Sequence, residues 1–253
     1  MISRTMLCAF AAGVALLLPA VQVTASELRV SGAASVAGSI IMPNKAAIEQ
    51  EIGSTLAVTV NGDGNGLRDL FSGKSDIAMV AAPVAATEAT LNKASPGSIS
   101  VADFQVAPIG SASIKFIVNP ANPVKSLTEA QIKDILTAKI TSWKELGGAD
   151  QPIVVVAEVP GLGTRANVVA TFLAGTDITD KARVMQALVQ VVQVVAQVPN
   201  AFGYGNAASI TDAVAVIPGI AVAQPLGLAT KGPPNADAKK LIAAAVKYGL
   251  AAK

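Results

Sequence analysis

The chain has 253 residues, of which 52% are hydrophobic, and a formal net charge of +2 at pH 7. That length supports one large or two small domains with a substantial core, and the small charge argues against a nucleic acid or an anionic membrane as partner. The lack of histidine and the single cysteine, Cys8, exclude zinc sites, Cys–His nucleophiles and Ser–His triads in their usual forms.

Residues 1–25 have the pattern of a secretory signal peptide. Arg4 supplies a positive charge, residues 6–18 form an apolar run too short to span a bilayer, and residues 23–25 are a small-residue cleavage site. We predict cleavage after Ala25 and export to the periplasm. An uncleaved membrane anchor is the alternative interpretation.

The first half of the remaining chain alternates strand and helix patterns. Residues 27–30, 56–60 and 76–80 read as strands, and residues 36–51 and 67–71 read as the helices between them. This βαβαβ order predicts a parallel sheet with helices on both faces.

After residue 80 the strand and helix patterns alternate less regularly. A helix is expected over residues 87–93 and two strands over residues 101–118. Thr128 begins a capping-box pattern, with Gln131 three residues later, for a helix that runs to Leu136.

A buried strand is predicted at residues 153–156, and a helix begins after Thr164. Residues 184–198 are very apolar, but their glutamines recur at spacings of four and three, which favours an amphipathic helix. The many valines leave a strand as the alternative. One or two strands over residues 213–223 and a helix over residues 236–250 complete the chain.

Three small-residue turns follow strands and precede helices: SGAAS at residues 31–35, NGDGNG at 61–66 and PGLGT at 160–164. Free backbone N–H groups at helix starts bind anions or polar groups, and ligands of open α/β sheets lie at the carboxyl ends of strands. We therefore predict a pocket lined by backbone donors and by the side chains of Ser31, Ser35, Asn61, Asn65 and Thr164. Plain strand–helix connections without a ligand are the alternative.

Several segments resemble the periplasmic phosphate-binding proteins of ATP-driven importers, the PstS-like branch of the solute-binding proteins. The resemblance extends from about residue 28 to residue 241. It rests on AASV (33–36), GDGNGLRDLFSGKSDIAM (62–79), residues 118–148 with Trp143, EVPGLGTR (158–165) and VPNAFGY (198–204).

The resemblance implies an α/β protein with the two-lobed, type II periplasmic-binding-protein fold. Each lobe would be a mixed sheet flanked by helices, and two crossing strands, expected near residues 108–111 and 202–206, would join the lobes. Lobe I would comprise residues 26–108 and 206–253, and lobe II residues 109–205. The resemblance further implies a monomer that is not an enzyme, has no cofactor, binds a small molecule and partners an ABC transporter permease in the inner membrane.

The resemblance also places the ligand site, and several positions depart from the family pattern. The family holds phosphate with hydroxyls, backbone N–H groups, one arginine and one aspartate. Asp63 and Leu162 replace serines, Ala81 replaces the aspartate and Glu158 replaces the arginine. The ligand-binding residues predicted in this way are Ala34, Ser35, Gly62, Asp63, Ala81, Glu158, Leu162, Gly163, Thr164 and Arg165.

These replacements disfavour an anion. Two unit charges about 4 Å apart interact by roughly 4 kcal/mol at an effective dielectric constant near 20, and Glu158 in place of arginine reverses the sign of that interaction. Asp63 adds a second repulsion, and each lost hydrogen-bond partner costs about 1–3 kcal/mol. We predict that phosphate is not the natural ligand and that the pocket suits a cation, an amine or a mostly apolar molecule with hydroxyls.

Other interpretations stay open from the sequence. Asp63 could cap the following helix, and Glu158 could face solvent or pair with Arg165. Arg165 could instead turn inward and bind phosphate or another oxyanion together with Ser35, Gly163 and Thr164. A sensor or a scaffold protein with a degenerate site is a further alternative, and a glycosidase-like acid–base pair is disfavoured because no other catalytic group accompanies the two carboxylates.

Overall fold

The computed structural model describes residues 26–251, so the predicted signal peptide at residues 1–25 lies outside the described residues. The strands are β1 (Ser26–Gly32), β2 (Ser54–Val60), β3 (Ile77–Val80), β4 (Phe104–Val118), β5 (Val154–Glu158), β6 (Arg183–Met185), β7 (Ala201–Asn206) and β8 (Ala215–Lys231). The helices are α1 (Ala34–Val36), α2 (Lys45–Ile52), α3 (Asp63–Phe71), α4 (Val84–Ala94), α5 (Glu129–Leu136), α6 (Gly163–Asn167), α7 (Leu188–Gln197) and α8 (Ala236–Ala251). α1 continues as a π-helical turn over Ala37–Ile41, and α6 does so over Val168–Phe172.

All eight strands belong to one sheet in the order β2-β1-β3-β8-β4-β7-β5-β6. β1 pairs in parallel with β2 and β3, which confirms the βαβαβ prediction for the first half. β5 pairs in parallel with β6 and β7, and the central pairs that involve β4 and β8 are antiparallel. The result is the predicted mixed α/β sheet with flanking helices.

Two large apolar cores divide this sheet into two lobes. The first core packs β1, β3, α2 and α8 together, and the second surrounds Trp143, Phe116 and Phe202. The indole Nε1 of Trp143 donates a 2.9 Å hydrogen bond to the carbonyl of Asn200, which ties its 3₁₀ turn to the start of β7. Each lobe therefore has the buried apolar cluster that an independent α/β layer needs.

β4 and β8 are the crossing strands. Each contributes to both cores: Ile109 and Leu226 lie in the first, and Phe116 and Val222 lie in the second. The register between β4 and β8 shifts at Pro108/Gly110, close to the predicted crossing at residues 108–111.

The second crossing does not lie at residues 202–206, so the sequence-based prediction for it is wrong. That segment is β7, whose Phe202 and Tyr204 lie in the second core. The long antiparallel pairing of β4 with β8 is not visible in either segment alone, because strand pairing is decided between segments far apart in sequence. The lobe boundary at residue 108 stays a prediction, whereas Ile217 and Val222 of β8 lie in the second core, beyond the boundary predicted at residue 206.

Local patterns placed most elements correctly, with informative exceptions. The capping box is confirmed, because Thr128 Oγ1 accepts from the Gln131 N–H at 3.2 Å and Gln131 Oε1 accepts from the Thr128 N–H at 2.8 Å. Residues 188–197 form the amphipathic helix predicted over 184–198, whereas residues 184 and 185 belong to β6. The two strands predicted over 101–118 are the single β4, bent at its bulge. α3 begins at Asp63, so the second glycine turn is largely the first turn of a helix.

The part of the chain that the structure describes contains no helix long and apolar enough to cross a membrane.

Candidate functional site

A cavity of about 450 Å³ lies between the two lobes. Residues at its wall follow the carboxyl ends of strands in both lobes: Asn61 follows β2, Glu158 ends β5 and Asn206 ends β7. This is the position at which open α/β sheets bind ligands. The lining comprises Ala34, Ser35, Gly38, Val60, Asn61, Gly62, Asp63, Glu158, Leu162, Gly163, Thr164, Gln186, Ala187, Leu188, Val189, Asn206, Ala208 and Ser209.

The structure brings most of the predicted site residues together at this cavity. The eight that line it are Ala34, Ser35, Gly62, Asp63, Glu158, Leu162, Gly163 and Thr164. Ala81 and Arg165 do not line it, and neither do Ser31 and Asn65 from the predicted turns. Whether the eight residues bind a ligand stays a prediction.

The second and third glycine turns contact each other across the cleft. A Cβ atom on Gly62 would lie 2.6 Å from Leu162 Cδ2, and a Cβ atom on Gly163 would overlap the Asp63 carboxylate. Gly62 also has a φ of +86°, a backbone conformation that side-chain-bearing residues rarely adopt. Glycines at these two positions let the lobes approach closely enough for Asp63 to reach lobe II.

Asp63 is 2% exposed, and its carboxylate is surrounded by backbone donors. Oδ1 accepts from the Ala81 N–H at 2.6 Å. The backbone of Ala82, Gly163 and Asp63 itself also favours the ionised carboxylate and lowers its pKa. Burial nevertheless raises the pKa of Asp63 to about 6, because desolvation outweighs these hydrogen bonds. Asp63 is not the N-cap residue of α3, as the alternative interpretation expected, because Gly62 occupies that position.

Glu158 is the second buried carboxylate of the cavity, with 4% of its surface exposed. Burial and the negative charge of Asp63 raise the pKa of Glu158 to about 8, against the opposing effects of the Arg165 N–H and the Arg165 charge. Its Oε2 atom is buried without a hydrogen-bond partner. The solvent-facing interpretation of Glu158 is therefore wrong, and the cavity contains an acceptor that nothing in the described residues satisfies.

Arg165, a predicted ligand-binding residue, does not turn inward and does not line the cavity. Its guanidinium donates to the main-chain carbonyl of Glu158 and to Asp177 Oδ1, each at 2.8 Å. The side chain is 7% exposed and faces the Asp177 side of lobe II. Because both terminal nitrogens of this buried guanidinium donate hydrogen bonds, the side chain is held in that orientation.

Ala81, another predicted ligand-binding residue, also lies outside the cavity lining. Its methyl side chain offers no polar group, and its backbone N–H is taken by Asp63. The residue acts on the cavity only by holding the Asp63 carboxylate.

Polar contacts that the sequence did not reveal complete the site. Asn206 donates from Nδ2 to Ser35 Oγ at 3.2 Å, and Gln224 donates from Nε2 to Thr164 Oγ1 at 3.3 Å. Asn206 was missed because its only local signal is a polar residue that ends an apolar strand. Gln186 belongs to the glutamine series already noticed, but its place at the cavity depends on how α7 packs.

The electrostatic character of the cavity follows from these contacts. Among the described residues, its lining includes two acidic side chains and no lysine or arginine. The remaining polar atoms belong to hydroxyl and amide groups, and much of the wall is aliphatic. Such a cavity favours a positively charged or neutral ligand over an anion.

Comparison with known proteins identifies the family. The family model for the PBP superfamily domain matches residues 20–247, which is most of the chain. The chain belongs to the PBP superfamily. This membership confirms the predicted fold.

Several PBP-superfamily relatives are phosphate-binding proteins. The phosphate-binding protein PstS of Bacillus subtilis strain 168 is 30% identical over 186 residues, which is 74% of this chain. This chain spans 59% of that relative's length. The two chains are thus homologous over that stretch.

Two solved structures show the same architecture. A candidate phosphate ABC transporter substrate-binding protein from Clostridium perfringens, solved with bound phosphate, superposes with a TM-score of 0.72 at 26% identity, covering 87% of this chain and 92% of that chain. An ABC-type phosphate transport receptor from Vibrio cholerae superposes with a TM-score of 0.67 at 23% identity, covering 87% and 93%. The latter supports the fold alone.

The close approach of Gly163 to Asp63 leads to a first prediction. We expect Gly163→Ala to separate the lobes and to destabilise the protein by about 1–3 kcal/mol, the usual cost of overpacking a filled site. Small-angle scattering would detect the larger radius of gyration, and thermal unfolding would detect the lost stability.

Two further variants make this test specific. Gly38→Ala is the control, because a Cβ atom there meets nothing within 4 Å. Asp63→Ala combined with Gly163→Ala should restore the smaller radius, since the overlapping carboxylate is gone. A Gly163→Ala protein with the parent radius and stability would contradict the contact.

Proposed function

We propose that this protein is an extracytoplasmic solute-binding protein that delivers a small molecule other than phosphate to an ABC transporter permease. The observation that carries the proposal is the Asp63 carboxylate, which accepts the Ala81 N–H of lobe I and lies directly against Gly163 of lobe II. A negative charge of the protein itself therefore occupies donors that an oxyanion would need. Adding phosphate beside it would place like charges together in a buried site.

Transport is supported by the relatives. The Bacillus subtilis protein is a phosphate-binding protein, and the Clostridium perfringens protein is a candidate substrate-binding protein of a phosphate ABC transporter. A shared two-lobed architecture with the cavity between the lobes supports the same delivery role here, and the signal-peptide pattern supports export to the periplasm. The permease would be a component of the inner membrane, and a monomer would suffice for delivery.

Phosphate as the natural ligand is the competing proposal, and it would rely on Arg165. That guanidinium is engaged by Asp177 and by the Glu158 carbonyl. If Arg165 bound phosphate, its hydrogen bond to Asp177 would be lost. The phosphate would also come close to Glu158. The contacts therefore favour a different ligand.

A scaffold protein with a degenerate site is supported less than a binding protein. A cavity of about 450 Å³ falls in the range of small-molecule pockets, roughly 300–1,000 Å³. Its wall includes a buried Glu158 oxygen without a partner, and such an atom in a native protein calls for an explanation. A ligand that supplies a hydrogen-bond donor provides one.

Calorimetric titration with inorganic phosphate tests the proposal. The protein comprising residues 26–253 would be unfolded and refolded first, to remove any carried ligand. We expect no binding heat and no thermal stabilisation up to millimolar phosphate. Binding with a sub-micromolar dissociation constant would overturn the proposal in favour of phosphate.

A further inference from the structure

The acceptors of the cavity point to the kind of ligand it takes. Glu158 Oε2 and Asn61 Oδ1 are both buried, both without hydrogen-bond partners, and both belong to residues that line the cavity. The orientation of the Asn61 amide is set by its Nδ2 atom, which donates to Asp69 Oδ2 at 2.9 Å. An amide flipped the other way would set oxygen against oxygen. The cavity wall thus includes two residues, one from each lobe, whose buried oxygens lack a donor that a ligand could supply.

The charges at the site restrict which kind of donor group the ligand must carry. The groups that face Glu158 are Asp63 from α3, Arg165 from α6 and the Tyr204 hydroxyl from β7, which accepts the Glu158 N–H at 3.2 Å. Arg165 is already shared with Asp177, so it neutralises the pair of carboxylates only in part. A cationic donor would satisfy Glu158 and offset the repulsion from Asp63 at once.

A metal ion is a poorer fit for this site than an organic cation. No group of three or more His, Cys, Asp or Glu side chains suited to a metal occurs within residues 26–251. The Asp63 oxygens are already committed to backbone donors. A hard cation such as Ca²⁺ takes about 6–8 oxygen ligands, more than the site offers.

The rest of the wall is suited to an apolar body. Val60 at the end of β2 and Val189 in α7 are 52% and 51% exposed, and both line the cavity from opposite lobes. Leu162 and Leu188 add aliphatic surface beside them. Exposed aliphatic side chains that converge on a concave site favour a ligand with a hydrocarbon part.

We propose that the cleft binds a small amphipathic organic ammonium ion, whose charged group is held by Glu158 with Asn61 as second acceptor and whose hydrocarbon part lies against Val60, Leu162 and Val189. This inference rests on the proposed function, because it names the ligand class of the same site. The ammonium stabilises the ionised form of Glu158. Since burial and Asp63 raise the pKa of that carboxyl to about 8, binding near pH 7 releases a proton.

Three probes of one carbon skeleton test the ligand class: hexylammonium, 1-hexanol and hexanoate. Each would be titrated calorimetrically into the refolded protein, residues 26–253, at pH 7. We expect hexylammonium to bind about 10- to 100-fold more tightly than 1-hexanol, the usual advantage of a charge-assisted hydrogen bond, and hexanoate not to bind. Titration in two buffers with different ionisation enthalpies should show net proton release on binding of hexylammonium.

The Glu158→Gln variant removes the charge of this side chain while keeping nearly the same shape, so it tests whether the charge sets the preference for the ligand. We expect it to lose the preference for hexylammonium over 1-hexanol and to lose the proton release. Asp180→Asn, which removes an exposed carboxylate of lobe II, should keep both. Equal binding of hexylammonium and 1-hexanol by the parent protein, or an unchanged preference in Glu158→Gln, would overturn the inference.

Inorganic phosphate in the same series distinguishes the two proposals. Phosphate binding by the parent protein would overturn the proposed function, and the ammonium inference with it. Absence of phosphate binding together with no preference for hexylammonium would overturn the ammonium inference alone.

Discussion

Glu158→Gln is expected to raise the free energy of unfolding substantially at pH 8 and only slightly at pH 5. Burial and the Asp63 charge raise the pKa of Glu158 from 4.5 to about 8, so the folded protein holds a proton there that the unfolded chain releases. The stability contributed by that proton is fully present below pH 4.5 and is lost as the pH rises towards 8. The loss is on the order of 5 kcal/mol, and a neutral glutamine avoids it.

Thermal and denaturant unfolding between pH 4 and pH 9 would measure this effect. The parent protein should lose stability steadily over the window from 4.5 to about 8. The variant should keep only the smaller dependence that Asp63 causes between 3.8 and about 6. Asp180→Asn should follow the parent curve, because Asp180 is exposed. Parallel pH curves for the parent and Glu158→Gln would contradict the assignment of a buried, protonated Glu158.

Asp63→Ser combined with Glu158→Gln is expected to create phosphate binding. The substitutions remove both carboxylates from the cavity and leave the N–H group of Ala81 without its present acceptor. At pH 9 both carboxylates of the parent protein are ionised, because the pKa of Glu158 is about 8. Each removed like charge about 4 Å from an anion is then worth roughly 4 kcal/mol at an effective dielectric constant near 20. We therefore expect phosphate affinity at least about 100-fold higher than in the parent protein, even after part of that energy is lost to screening.

Calorimetry with phosphate, and with chloride at equal ionic strength, would measure the gain. Each single variant should show a smaller gain than the double variant, because either remaining carboxylate repels the anion. Asp180→Asn supplies the matched loss of charge outside the cavity. A double variant that folds and binds phosphate no better than the parent would show that Asp63 and Glu158 are not what excludes phosphate.

Local features of the sequence were sufficient for the fold class. The βαβαβ alternation, the capping box at Thr128 and the glutamine spacing in residues 184–198 depend on neighbours a few residues apart, and the structure contains all three. The family-like segments at residues 118–148 and 158–165 predicted a two-lobed solute-binding fold, which family membership confirms. The sequence alone also located the acidic replacements at Asp63 and Glu158.

Tertiary structure decided how those residues are used. The Asp63 carboxylate accepts a hydrogen bond from Ala81, 18 residues away, and lies against Gly163 in the other lobe, so its state depends on how the lobes meet. Arg165 could have faced the cavity from sequence alone, but its hydrogen bonds to Asp177 and to the Glu158 carbonyl hold it away. The pairing of β4 with β8, and with it the true second crossing strand, joins segments about a hundred residues apart.

The physical reason for this division is the range of the interactions involved. Periodicity, capping and turn preferences act within a few residues and can be read along the chain. Burial, desolvation and the pairing of buried polar groups depend on which distant segments become neighbours. The sequence by itself therefore determined the family, the fold class and the presence of two carboxylates near the ligand site, whereas the tertiary structure decided that Asp63 is satisfied by the backbone and that Glu158 keeps an unpaired oxygen.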